Sequence, residues 1–353
     1  MSTDPNKPNI LLILADNLGW GLLLHNFNVE SDCVPTRSAL MTGWHPIRTG
    51  CLQSVPAGFP QGLTTWEKTL PELLRENGYH LGDIPGRYPS DRGFDEWYGI
   101  PRTTDESQFT SSIGFEADVV EMPYIMDGKT GSPSRNVCVY DLNVRRAIDA
   151  TLVEKSTAWL TRQTNEQTPF LYHPMVHLHF PTLPHVDFVG SSKHGGFADS
   201  VAEMDFRTDQ VLDHLDSLGP DIAANTVVIF ASDNGPEFRP PYKGTVGPWS
   251  GTYHTAMEGG LRVPFIIRWP GHVPEGTTSN QIVHATDIFS AIAAITKTPV
   301  PVDRPIDGID QTRLLVDPEN SKSPREGFLF YIKNELRAIK WRDWKLHLVW
   351  EPH

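Results

Sequence analysis

Residues 9–15, Asn-Ile-Leu-Leu-Ile-Leu-Ala, form an unbroken apolar run that stops at Asp16-Asn17. The run has the length of a strand, and its lack of polar alternation means that both faces are covered, as in a parallel sheet inside an α/β domain. The pattern returns at 226–231, Thr-Val-Val-Ile-Phe-Ala, which leads into Ser232-Asp233-Asn234-Gly235-Pro236. In open α/β sheets, ligands sit outside the carboxyl ends of the strands. Two strand ends therefore deliver Asp16, Asn17, Asp233 and Asn234, four oxygen donors of the kind that hold a hard divalent cation.

The rest of the chain reads as the helices and strands of the same layered fold. A helix over 63–78, with Thr65 as its N-cap and Gly78 as its stop, carries Leu70, Leu73 and Leu74 at helical spacing. An amphipathic helix over 143–163 feeds a third buried strand, 169–176, and His177 and His179 follow it. A helix over about 199–218 crosses back over the sheet. Residues 100–140 are polar and without clear period, a long excursion able to wall a substrate pocket. After an apolar helix at 286–295, short alternating runs at 328–332, 337–340 and 344–349 predict an antiparallel sheet. The expected fold is α/β, a large, mostly parallel mixed sheet flanked by helices. A smaller C-terminal antiparallel subdomain follows it, dividing the chain at 1–272 and 273–353.

Composition narrows the function. A formal charge of −13 argues against a nucleic-acid surface. Three cysteines, at 33, 51 and 138, offer no disulfide framework and no CxxC spacing. No apolar run reaches membrane-spanning length, and the start at Met1 shows no basic-then-apolar leader. A cytoplasmic protein is the expectation, with an exported form left open; the oligomeric state is not legible.

The chemistry concentrates at Cys33-Val34-Pro35-Thr36-Arg37, followed by Ser38-Ala-Leu-Met-Thr42-Gly43. Pro35 suits the first turn of a helix beginning near Thr36, so Cys33 lies at its electropositive end. Arg37 returns to the same spot with a planar, permanently charged fork suited to sulfate or phosphate. The stretch resembles the C-x-P-[ST]-R-x-x-x-x-T-G signature of the sulfatase family, in the alkaline phosphatase superfamily, and every signature position is matched.

The resemblance implies that a formylglycine-generating enzyme oxidises Cys33 to formylglycine, whose hydrated aldehyde attacks sulfur. It implies a metal site, usually calcium and here Ca2+ or Mg2+, built from Asp16, Asn17, the side chain at Cys33, Asp233 and Asn234. Asn17 stands where the family has a carboxylate. It further implies that Arg37 and His80 hold the sulfate and that His179, in His179-Phe180-Pro181, protonates the leaving alcohol. Tyr253 and His254 offer hydrogen bonds where the family has a lysine, and Arg262 anchors structure. A second lysine, expected just before His80, is absent.

The substrate implied is a small-molecule or carbohydrate sulfate ester, hydrolysed as in arylsulfatases. Two other readings stay open: a phosphonate monoester or phosphodiester hydrolase with the same site, and a catalytically impaired sulfatase-like binder. The chain is also short of the family between Gly21 and Leu22 and near Tyr79-His80, where a strand and the lysine are expected. That shortness reads as residues missing from the sequence rather than as a strand removed from the sheet.

Overall fold

The computed structural model describes residues 7–19, 25–54, 62–77, 79–82, 88–119, 121–163, 168–240 and 242–351, with backbone alone for 79–82 and 242–243. Its centre is an eight-stranded sheet. In chain order its strands are β1 (Asn9–Ala15), β2 (Tyr79–Gly82), β3 (Glu96–Gly99), β4 (Tyr124–Lys129), β5 (Arg135–Val139), β6 (Thr168–Pro174), β7 (Thr226–Ser232) and β8 (Phe265–Arg268). Across the sheet they lie in the order β8-β7-β1-β6-β2-β3-β4-β5. The strands from β7 to β3 are parallel, and β8, β4 and β5 are antiparallel additions at the edges.

The central strand is apolar throughout because it is covered twice. Ile10, Leu12 and Leu14 enter one core, shared with α1 (Cys33–Thr42), α2 (Leu70–Glu76) and α5 (Ala285–Ile295). Leu11, Ile13 and Ala15 enter the other, beneath α3 (Leu142–Gln163) and α4 (Gly196–Ser217). Each fully buried Leu or Ile contributes about 1.5–3 kcal/mol, enough for this strand to anchor the sheet. Past the expected boundary at 272, α5 packs on α1 within the first of these cores. The separate antiparallel sheet consists of β9 (Gly327–Ile332), β10 (Glu335–Trp341) and β11 (Trp344–His347). Glu258 ties it to the main domain through Lys340 Nζ at 2.9 Å and Lys345 Nζ at 2.8 Å. No described helix is long and apolar enough to cross a membrane.

Three local expectations need correction. Helix α1 starts at Cys33 rather than near Thr36, because Pro35 fits inside its first turn. It ends at Gly43, in the left-handed region at φ 68°, where a Cβ would lie 2.8 Å from the Phe289 ring. Helix α2 is capped by Thr69, not Thr65. Thr69 accepts from the Glu72 N–H while Glu72 accepts from the Thr69 N–H, a reciprocal box that Pro71 in the first turn reinforces. The excursion at 100–140 contains the hairpin of β4 and β5, which extends the sheet edge.

The strand thought missing near Tyr79-His80 has a counterpart. Tyr79–Gly82 occupies the place between β6 and β3. The Cα spacing that would test continuity falls on residues 20–24, 78 and 83, outside the described residues.

Candidate functional site

Three strand ends and the first turn of α1 meet at the carboxyl side of the sheet. Asp16 and Asn17 follow β1, and Asp233 and Asn234 lie at the end of β7, whose register pairs Ala15 with Ser232. All four are buried. Asn17 takes a left-handed backbone, φ 57°, a conformation that asparagine tolerates better than most residues. Its Oδ1 accepts from Asn234 Nδ2. The next turn is held by close backbone contact: a Cβ on Gly235 would lie 2.1 Å from the Gly259 carbonyl oxygen.

Arg37 reaches this cluster from α1. Its Nη2 lies 2.9 Å from Asp16 Oδ2 and 2.6 Å from Asp233 Oδ2, and its Nη1 donates to the Tyr172 hydroxyl at 3.3 Å. Burial and the nearby Asp16 push the Asp233 carboxyl up, against the pull of Arg37. One guanidinium thus faces two carboxylates through their Oδ2 atoms. Asp16 Oδ1, Asp233 Oδ1 and Asn234 Oδ1 are buried without a hydrogen bond. Unpartnered buried oxygens on converging strands fit a hard divalent cation. Half of this donor set is amide, and among the described residues no three or more His, Cys, Asp or Glu gather into a metal site.

Cys33 occupies the first turn of α1, a free thiol. Burial pushes it well above the ordinary range, Asp32, Asp16 and Asp233 add to the rise, and Arg37 opposes it. Around it stand Asp32, Ser54 and Tyr253, with His254 half-exposed and its Nε2 3.9 Å from Asp32 Oδ2. Burial, together with the neighbouring Cys33 and Asp32, keeps the Tyr253 hydroxyl protonated.

His179 lies on the loop after β6. Its Nδ1 is 2.7 Å from the Phe180 carbonyl and 3.2 Å from Asp105 Oδ1. Burial disfavours its charge, but Asp16, Asp105, the Phe180 carbonyl and Glu237 outweigh that and raise its pKa. The loop is shaped by Arg145, a buried guanidinium on α3 that donates to the carbonyls of Val176, His177 and His179. His177 itself is buried between Asp149 and Glu203.

The backbone of His80 is placed by the sheet. It lies within β2 opposite Pro169, and β6 aligns Phe170 with Ile10, so His80 stands level with the start of β1. Asp16 lies beyond the other end of that strand, about 20 Å away at about 3.3 Å per residue. Arg262 anchors structure, donating to the His25 carbonyl and to Asn280 Oδ1.

The Sulfatase family model matches residues 8–298. The chain belongs to the sulfatase family. Mouse (Mus musculus) N-acetylgalactosamine-6-sulfatase is 30% identical over 396 aligned positions, 98% of this chain and 72% of the relative. Human (Homo sapiens) arylsulfatase G is 30% identical over 377 positions, 89% of this chain and 70% of the relative. The crystal structure of PsFucS1 sulfatase from Pseudoalteromonas sp. superposes with a TM-score of 0.86 at 27% identity, covering 97% of this chain and 78% of that one.

This membership makes the chain a sulfuric ester hydrolase, and it carries the alkaline-phosphatase-like fold of these proteins. The 396 positions aligned with the mouse enzyme exceed the 353 residues of this sulfatase, so the relative carries segments that this chain lacks. Five residues at the sulfatase site escaped the sequence reading: Asp32, Ser54, Asp105, Arg145 and Glu237. Arg145 alone left a signal, a charge on the buried side of an amphipathic helix.

Proposed function

We propose that this sulfatase hydrolyses a small-molecule or carbohydrate sulfate ester to the alcohol and inorganic sulfate. Cys33 is oxidised to formylglycine by a formylglycine-generating enzyme, and Ca2+ or Mg2+ is held by Asp16, Asn17, Asp233 and Asn234 with the side chain at position 33. The observation that carries the reading is the set of unpartnered buried oxygens beside Arg37 and Cys33. When present, the two groups supply a hydrated aldehyde as nucleophile and a positive charge that eases its deprotonation.

The chain's own residues do the remaining work. Arg37 presents N–H donors in a fixed plane suited to sulfate oxygens, and a cation held by Asp16 and Asp233 would take up part of the carboxylate charge that Arg37 now faces. His179, whose pKa Asp16, Asp105, the Phe180 carbonyl and Glu237 raise against the effect of burial, gives a proton to the leaving alcohol. Arg145 holds that imidazole's loop in place through three carbonyls. The carbohydrate part of the reading is supported by a relative named for an N-acetylgalactosamine sulfate.

One observation favours a second reading, a catalytically impaired binder of sulfated ligands. With Tyr253 in a lysine's place, the fixed charge acting on Cys33 comes from Arg37. Turnover separates the readings. Protein co-expressed with the converting enzyme is assayed on a chromogenic aryl sulfate beside the matching phosphate diester and phosphonate. Preference for the sulfate supports the proposal, preference for a phosphorus ester replaces it, and binding without turnover leaves the impaired binder.

A further inference from the structure

Asp32 is buried at the start of α1, yet its side chain caps no N–H of that helix. Its carboxylate instead collects donors from two distant loops. The Ser54 N–H reaches Oδ2 at 2.8 Å, and the Ser54 and Tyr253 hydroxyls reach Oδ1 at 2.5 and 3.1 Å. A hydroxyl owns one proton, and a carboxylate only accepts. Ser54 and Tyr253 give theirs to Asp32 and so turn lone pairs toward Cys33 Sγ, 3.1 and 4.0 Å away. Asp32 Oδ1 itself accepts from Sγ at 3.3 Å. Three acceptor oxygens thus surround the end of the side chain at position 33.

We propose that Asp32 is a positioning residue that sets Ser54 and Tyr253 as acceptors, so that the side chain at 33 is held through the protons it donates. Those protons are the S–H before conversion and the O–H groups of the hydrated aldehyde after it. The proposal rests on the reading of Cys33 as the reacting position. It also changes the role expected of Tyr253. A hydroxyl whose proton is committed to Asp32 has none for a sulfate oxygen, so Tyr253 serves position 33 and not the substrate.

The test is Asp32→Asn, which keeps the shape; with its carbonyl oxygen accepting from the Ser54 N–H, its N–H2 group meets the two hydroxyls and turns their protons away from position 32. In unconverted protein, alkylation of Cys33 by iodoacetamide, followed by peptide mass spectrometry, rises about tenfold. In converted protein, labelling of position 33 by an aminooxy probe rises by a similar factor, and kcat on an aryl sulfate falls about tenfold with KM within about twofold. Tyr253→Phe, which leaves the helix start untouched, moves both readouts in the same directions by less. The double variant is no worse than Asp32→Asn alone.

Unchanged labelling in both single variants overturns the proposal, and so does a strictly additive loss in the double variant. If converted wild-type protein hydrolyses no sulfate ester, the functional reading fails instead. The labelling rates need no turnover and still decide the role of Asp32.

Discussion

Removing the charge of Arg37 tests whether this guanidinium and a divalent cation share one task. In the fold, Arg37 Nη2 bridges Asp16 Oδ2 at 2.9 Å and Asp233 Oδ2 at 2.6 Å, with Asp233 fully buried. Arg37→Met keeps the aliphatic stem and strands the two carboxylates. Breaking a buried ion pair from one side costs about 3–5 kcal/mol, because the remaining charge keeps its desolvation penalty. At about 2 °C per kcal/mol for a chain of this size, the melting temperature in chelator falls by about 6–10 °C. A cation between the aspartates supplies the missing charge, so in saturating calcium the drop shrinks to less than about half of that, and calcium raises the melting temperature of the variant more than that of wild type.

The pH dependence has a definite sign. Burial and Asp16 already raise the Asp233 pKa above its unfolded value, and losing Arg37 raises it further. A group with a raised folded pKa stabilises below its unfolded pKa and loses that contribution as pH rises, so the penalty deepens toward alkaline pH. Thermal melts of both proteins in EGTA and in calcium, at two pH values, provide the check. An equal deficit with and without calcium would refute the shared task.

The other expectations concern single groups. Cys33→Ala removes nearly all turnover, and mass spectrometry of the co-expressed wild-type protein finds an aldehyde at position 33; a fully active alanine variant excludes the formylglycine route. Cys51→Ala and Cys138→Ala keep it. Asn17→Asp adds a third carboxylate to the donor set and tightens calcium binding measured by calorimetry, whereas unchanged or weaker binding removes Asn17 from the ligands. Asp105→Asn withdraws a carboxylate that raises the His179 pKa, so the alkaline limb of kcat, where the general acid loses its proton, moves to lower pH. A limb that stays in place assigns the proton donor elsewhere.

Legibility followed the range of the contacts. The strands at 9–15, 168–174 and 226–232 could be read because burial on both faces leaves an unbroken apolar run. The strand at 135–139 could not, since every residue in it is exposed and carries no pattern. The same holds at the site. Asp16, Asn17, Asp233 and Asn234 announced themselves as adjacent pairs closing apolar runs, and Cys33 as part of a dense local motif. Asp32, Ser54 and Tyr253 make one cluster from positions 22 and 221 residues apart, and no local pattern reports such a meeting.

The backbone at His80 shows what a local motif leaves out. His80-Leu81-Gly82-Asp83 matches the family by its letters, but a side chain's height on a parallel sheet depends on how many residues precede it in its strand. In this chain Tyr79–Gly82 is itself the strand, and its register with Thr168–Leu171 sets the backbone of His80 at the amino end. Each residue of shortening lowers the downstream positions by about 3.3 Å, and a handful of missing residues is enough to separate a histidine from a sulfate. Inserting residues between Gly78 and Tyr79 until Leu81 clears the level of Pro174 would bring His80 to the carboxyl side. If the inserted chain gained aryl sulfatase activity that a further His80→Ala abolished, the shortened strand would be the cause of the loss; no gain in the inserted chain would mean that Arg37 and His179 already define the site.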